Sequence, residues 1–105
     1  MWDFLPSRDI YVLGSTKDTV MIDIRKKEEY CKGHIAGMIN IFEEELFNNT
    51  DILMPYKNVI LCCNRGNRGL IVAKKLSSMY KNKNFFNVYG GMYHFIGEKE
   101  RCNGN

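Results

Sequence analysis

Short apolar runs separated by polar and glycine-containing stretches are the main pattern along this chain of 105 residues. Runs that are apolar almost throughout, without alternation, are typical of strands buried on both faces of a sheet. Polar or glycine residues bound each run, as expected where a strand gives way to a turn or a helix. We therefore predict strands at 20–24, 38–41, 59–62 and 85–89, and a weaker short strand at 10–13.

Amphipathic segments between these runs predict helices. The clearest one follows residue 69: apolar residues recur there at helical spacing on one face, and the opposite face carries lysines. The apolar positions are Val72, Ala73, Leu76, Met79 and Tyr80, and shorter helices are predicted at 25–31, 43–47 and 92–96. Strands that alternate with helices indicate a parallel sheet covered on both faces. The sequence thus predicts an α/β fold in which two helical layers enclose a five-stranded, mostly parallel sheet.

Length and charge narrow the class of protein. At 105 residues the chain is expected to form one domain with its own core, and a tail that frays from about residue 98. The 15 Lys and Arg against 12 Asp and Glu give a net charge of +3, too little to predict a nucleic-acid partner. No apolar run approaches the length of a membrane span, and the first residues lack the features of a signal peptide. We expect a cytoplasmic protein with no membrane partner.

The four cysteines indicate thiols and not a disulfide framework. Cys62 and Cys63 are adjacent, and a strand points neighbouring side chains to opposite faces. Cys31 and Cys102 have no motif partner, and without a secretory signal we expect all four to be reduced. The chain has no Cys-x2-Cys pair, and its two histidines lack ligand spacing, so neither a metal nor another cofactor is predicted.

The loop between the buried strand at 59–62 and the long helix carries the candidate chemistry. A cysteine closes this strand. The five residues after Cys63 include one glycine, two arginines and no carboxylate. A strand, a tight loop and a helix place a nucleophile where backbone N–H groups and a helix N-terminus converge. Positive charge and such N–H groups favour the thiolate form of a cysteine. The loop therefore predicts a reactive cysteine at position 63 that handles a small anion.

The chain resembles the single-domain rhodanese-like sulfurtransferases over about residues 20 to 96. Four segments match signatures of that family and occur in the family's order. They are Val20-Met-Ile-Asp-Ile-Arg25 with Glu29-Tyr30, Gly33-His-Ile-x-Gly37-x-x-Asn40, Cys63-Asn-Arg-Gly-Asn-Arg68, and Val88-Tyr-Gly-Gly91. One departure lies at the site, because Gly69 stands where serine or alanine is common in the family.

The resemblance implies a three-layer α/β/α rhodanese-like fold and transfer of a sulfane sulfur. The donor would be thiosulfate or a persulfide, and the acceptor a thiol, cyanide or a protein. A persulfide on Cys63 would form by double displacement. Cys63 and Arg68 are the expected catalytic residues, and the donor is expected to bind Asn64, Arg65, Gly66, Asn67 and Gly69.

The length of the loop favours sulfur over phosphate. Cys63 and Arg68 are separated by four residues, whereas phosphatases and arsenate reductases of the same superfamily have five residues between cysteine and arginine. The shorter loop predicts a smaller anion cradle. An alternative from another class stays open, namely a non-catalytic rhodanese-like module that binds a partner or senses redox state. Inert family members typically lack the cysteine, and this chain keeps it.

Several other residues are expected to have structural or steering roles and not to react themselves. Cys62 is expected to point into the core, and His34 to support its glycine-bracketed loop. Asp23 and Arg25 are expected to join strand and loop through an ion pair. Arg65 is expected to steer anions towards the mouth of the site.

Overall fold

Five parallel strands form the central sheet of the computed structural model, which describes residues 1–103. Its strands are β1 (Trp2–Leu5), β2 (Thr19–Asp23), β4 (Ile39–Asn40), β5 (Asn58–Cys62) and β6 (Asn84–Val88). They lie in the order β1-β6-β5-β2-β4, so β5 occupies the middle of the sheet. The predicted five-stranded sheet is confirmed, and every pairing within it is parallel.

Helices cover both faces of this sheet, as the alternating pattern predicts. The helices are α1 (Ile10–Gly14), α2 (Lys27–Lys32), α3 (Glu43–Asn48), α4 (Asn67–Met79) and α5 (Gly91–His94). Short 3-10 turns span Ser7–Asp9 and Thr50–Leu53. None of the helices within residues 1–103 is long and apolar enough to cross a membrane.

The side chains of β5 divide between two hydrophobic cores. Val59 and Leu61 pack into the core that contains α4, whereas Ile60 and Cys62 pack into the core beneath α1 and α5. This alternation explains why the strand is apolar along its whole length, since it is buried on both faces. On α4 the predicted apolar face is only partly buried, because Met79 at its end is 54% exposed.

The N-terminal prediction is wrong in one element. Residues 10–13, predicted as a short strand, form most of α1. Ile10 is fully buried while Val12 is 73% exposed, so a single helical face is buried here. The edge position of the sheet is taken by β1, whose Trp2 and Phe4 are partly exposed, and this strand has no apolar run that would reveal it.

The C-terminal segment differs from the expected frayed tail. A short strand β7 (Lys99–Glu100) pairs antiparallel with β3 (His34–Ile35), away from the central sheet. A disulfide joins Cys31 to Cys102, so the prediction of four reduced cysteines is wrong for this pair. The error arose because the sequence shows neither the β3–β7 pairing nor the nearness that it gives two cysteines 71 residues apart. The last two residues of the predicted tail, 104 and 105, lie outside the described part of the chain.

Candidate active site

Cys63 directly follows the central strand, at the carboxyl edge of the sheet where sites in α/β folds lie. Its Sγ atom accepts hydrogen bonds from the backbone N–H groups of Gly66, at 3.1 Å, and Gly69, at 3.2 Å. Both donors belong to the loop and the first turn of α4. Backbone donors that converge on one sulfur suit a negatively charged thiolate and a sulfur bonded to it.

Gly66 shapes the loop around this sulfur. It has φ of 93°, a left-handed conformation that favours glycine, and it is the residue that precedes α4. The loop also packs closely on the Gly90–Gly91 turn, where a methyl carbon added to Gly91 would lie 2.6 Å from the Cys63 carbonyl oxygen. That oxygen accepts a hydrogen bond from the Met92 N–H at 2.8 Å. The Gly90–Gly91 turn therefore packs against the cysteine loop and helps to hold it in place.

Asn87 is a buried neighbour that sequence reasoning missed. Its Nδ2 donates to the Gly66 carbonyl oxygen at 2.9 Å, and its Oδ1 has no hydrogen-bond partner among the described residues. A methyl carbon on Gly69 would lie only 2.2 Å from this Oδ1. Glycine at position 69 therefore leaves the space that Asn87 occupies. The available signal was a polar residue within the otherwise buried end of β6.

Asp23 and Arg25 form the expected ion pair beside the loop. The Arg25 Nη2 lies 2.8 Å from the Asp23 Oδ2, and both side chains are almost wholly buried. Arg25 also donates to the Asn64 Oδ1 at 3.1 Å and to the Gly33 carbonyl oxygen at 2.7 Å. The Asn64 Nδ2 donates to Glu29 at 2.6 Å. Asn64 is thus held by side chains of other elements, although the sequence suggested only a contact with the donor.

The two loop arginines have different surroundings. Arg68, in the first turn of α4, donates through Nε to Glu43 Oε1 at 2.9 Å and through Nη2 to Glu43 Oε2. The hydrogen bond and charge of Glu43 raise the pKa of Arg68. Arg65 lies over the ring of Tyr93, with its guanidinium carbon 5.0 Å from the ring centroid. Sequence reasoning missed Glu43, whose nearness to Arg68 comes from the packing of α3 beside α4.

A cavity of about 360 Å³ opens in front of the sulfur. It brings together five of the predicted site residues, namely Cys63, Asn64, Arg65, Asn67 and Arg68. Gly66 and Gly69 contribute their N–H groups to Cys63 without lining this cavity. The rest of the cavity wall contains cationic, anionic and apolar side chains. They are Ile24, Arg25, Lys26, Glu29, Phe42 and Glu43.

Cys62 and His34 lie apart from this cavity. Cys62 is fully buried in the opposite core, and burial raises the pKa of its thiol well above the ordinary range. The His34 ring stacks on Tyr30 with 3.7 Å between centroids, and its Nδ1 lies 2.8 Å from the Tyr30 carbonyl oxygen. Within residues 1–103, no group of three or more His, Cys, Asp or Glu side chains could hold a metal ion.

Comparison with known proteins agrees with this geometry. The sequence profile of the rhodanese-like domain matches residues 10–98. The chain belongs to the rhodanese-like family. A rhodanese-related protein from Thermoplasma volcanium has a similar structure, with a TM-score of 0.75 and 30% identity, and the match covers 90% of each chain. A rhodanese-like domain protein from Staphylococcus aureus shares the fold, with a TM-score of 0.78 at 22% identity over 98% of this chain and 100% of that one.

A curated relative extends the comparison to longer proteins. A tRNA uridine(34) hydroxylase from Buchnera aphidicola is 32% identical in an alignment of 102 residues, and the match covers 89% of this chain and 31% of the relative. The chain spans about a third or less of the length of the first curated relatives that it matches. At the level of the family, the rhodanese-like domain supports a sulfurtransferase-type enzyme.

Proposed function

We propose that this chain is a sulfurtransferase that carries a sulfane sulfur as a persulfide on Cys63. The observation that carries the proposal is the pair of backbone N–H groups, from Gly66 and Gly69, that point at Cys63 Sγ. The side chain is only 3% exposed, yet it lines the cavity in front of the loop. A sulfur held in this way can accept and give up a second sulfur atom without leaving its cradle.

The reaction follows double displacement. The Cys63 thiolate attacks the outer sulfur of thiosulfate, a new sulfur–sulfur bond forms, and the bond inside thiosulfate breaks as sulfite leaves with the electron pair. An acceptor thiol, cyanide or protein nucleophile then bonds to the terminal sulfur, and the Cys63 thiolate is released. A persulfide donor reacts in the same way, with a thiolate as the leaving group.

The remaining loop residues bind and position the donor in this proposal. Gly66 and Gly69 supply the N–H groups that hold the sulfur, while Asn64, Arg65 and Asn67 line the approach to it. Arg68 is catalytic through its charge beside the cavity, at a position fixed by Glu43. Four residues between Cys63 and Arg68 make a cradle that favours a sulfur atom over a tetrahedral phosphate.

Formation of thiocyanate from thiosulfate and cyanide tests the proposal, with Cys62→Ser as the matched control for Cys63→Ser. Only Cys63 lines the cavity, whereas Cys62 is buried in the other core. We expect wild type and Cys62→Ser to form thiocyanate and to gain one sulfur atom in intact-mass spectra after brief exposure to thiosulfate. Cys63→Ser should do neither.

Two outcomes would contradict this assignment. Sulfur gain and turnover in Cys63→Ser would show that the nucleophile lies elsewhere. A folded wild type that neither gains sulfur nor turns over thiosulfate or a persulfide donor would favour the alternative of a non-catalytic module.

A further inference from the structure

The disulfide between Cys31 and Cys102 lies at a second cavity, separate from the sulfur-transfer site. This cavity has a volume of about 940 Å³ and is lined by Cys31 together with four charged residues. Three of them are cations, Lys27, Lys32 and Arg101, and Glu28 is the one carboxylate. Both cysteines are only half-buried. An accessible disulfide therefore faces a cavity with an excess of positive charge.

The backbone holds the two cysteines together independently of the disulfide. The Cys102 N–H donates to the Cys31 carbonyl oxygen at 3.1 Å. Residues 99 and 100 pair with β3, and the Ala36 N–H donates to the Glu98 carbonyl oxygen at 3.1 Å. Opening of the disulfide would leave these bonds in place. The two thiols would then stay close enough to be oxidised to the disulfide again.

We propose that Cys31–Cys102 is a thiol-exchange site that takes small anionic thiols. Lys27, Lys32 and Arg101 raise the local concentration of an anionic thiol in the cavity. Its thiolate attacks the Sγ of Cys31, the cysteine that lines the cavity, and forms a mixed disulfide. The bond to Cys102 breaks, and the Cys102 thiolate leaves with the electron pair and is protonated by solvent.

A second molecule of the same thiol completes the exchange. It attacks the thiol-derived sulfur of the mixed disulfide, forms a small-molecule disulfide, and releases Cys31 as a thiolate. In balance, two thiols are oxidised to one disulfide and the protein disulfide is reduced to two thiols. The steps do not involve Cys63, so this proposal stands or falls separately from sulfur transfer.

Three thiols of different charge test the proposal on the full chain, isolated without reductant. Mercaptosuccinate carries two carboxylates besides its thiolate, 2-mercaptoethanol attacks as a thiolate alone, and in cysteamine an ammonium group balances the charge of the thiolate. Opening is followed by alkylation and peptide mapping, because trypsin places Cys31, Cys102 and the Cys62–Cys63 pair on different peptides. Each rate is compared between wild type and the Lys27→Gln/Lys32→Gln/Arg101→Gln variant, so that the intrinsic reactivity of each thiol cancels.

We expect the variant to slow opening by mercaptosuccinate about tenfold more than opening by 2-mercaptoethanol, and to change the rate of opening by cysteamine least. Lys74→Gln/Lys75→Gln/Lys81→Gln removes the same charge far from this cavity and should preserve the wild-type order. In wild type, added salt should slow opening by mercaptosuccinate more than opening by 2-mercaptoethanol, and should change opening by cysteamine least. Equal effects on all three thiols, or free Cys31 and Cys102 in the isolated protein, would overturn the proposal.

Discussion

Single residues around Cys63 fit one another across the chain. Gly69 donates its N–H to the sulfur, and its missing side chain leaves room for the Asn87 amide. Asn87 in turn holds the Gly66 carbonyl oxygen in the loop. The departure from the family pattern at position 69, in α4, is therefore matched by a residue on strand β6. We interpret Gly69 and Asn87 as one structural unit.

This fit predicts that Gly69→Ala is destabilising only while Asn87 is present. The added methyl carbon would lie 2.2 Å from Oδ1, so the amide or the loop must move. Overpacking of this kind costs about 1–3 kcal/mol. Asn87→Ala should also destabilise, because it removes the hydrogen bond to Gly66. In the double variant the two losses should fall short of their sum by at least about 0.5 kcal/mol.

Urea unfolding of wild type, both single variants and the double variant measures this coupling. Gly33→Ala is the matched control, because an added methyl carbon there meets nothing within 4 Å and φ is an extended 163°. Strictly additive losses would show that Gly69 and Asn87 act independently.

Secondary-structure elements explain which parts of the site could be predicted. The four strands predicted from apolar runs all exist, because burial on both faces leaves a continuous local pattern. Edge strand β1 and the short β7 leave no such pattern, since pairing partners distant in sequence define them. The cysteine loop was predictable because its residues are contiguous in the sequence and directly follow the apolar run of β5. Glu29, Glu43 and Asn87 reach it from α2, α3 and β6, and only the folded chain brings them there.

The two loop arginines have different partners, from which we predict different roles. Arg68 is fixed by Glu43, whereas Arg65 contacts the exposed ring of Tyr93. Arg65→Ala should raise KM for thiosulfate on the order of fivefold with little change in kcat, because a steering charge binds ground and transition state alike. Arg68→Ala should lower kcat more than it raises KM.

Glu43→Gln tests whether the position of the Arg68 side chain matters in addition to its charge. It keeps the arginine but weakens its attachment to α3, so we expect a smaller loss of kcat than in Arg68→Ala. Steady-state thiocyanate formation over a range of thiosulfate concentrations measures all three variants, with Lys81→Ala as a remote cationic control. If Arg65→Ala lowers kcat while Arg68→Ala affects only KM, the two roles are reversed.

The whole molecule keeps its two free thiols in different environments. Cys62 belongs to the core beneath α1 and α5, while Cys63 faces the cavity on the other side of the sheet. Cys62 ends β5 and Cys63 directly follows it, so the alternation of neighbouring side chains at the strand end is enough to cause this separation. The sequence predicted the division correctly, because it depends on strand geometry alone. It did not reveal the Cys31–Cys102 disulfide, which depends on how the C-terminal segment returns to α2.

Global stability should therefore fall at alkaline pH because of Cys62. Burial raises the pKa of this thiol, so the folded protein keeps its proton where the unfolded chain, with a thiol pKa of about 8.5, has lost it. The folded state then binds more protons than the unfolded state, and the free energy of unfolding decreases as pH rises above that value. The contribution of one such group approaches about 1.4 kcal/mol per pH unit.

Urea unfolding at pH 7, 8.5, 9.5 and 10 tests this in two proteins, Cys63→Ser and Cys62→Ala/Cys63→Ser. Both lack the Cys63 thiol and keep the disulfide, and tyrosines titrate equally in the two, so the difference isolates Cys62. Removal of Cys62 should lower stability at pH 7 by leaving a small cavity. The difference in the free energy of unfolding between the two proteins should then become steadily smaller above about pH 8.5, because only the protein with Cys62 loses stability from this thiol. Parallel pH profiles would show that Cys62 ionises as readily in the folded chain as in the unfolded one.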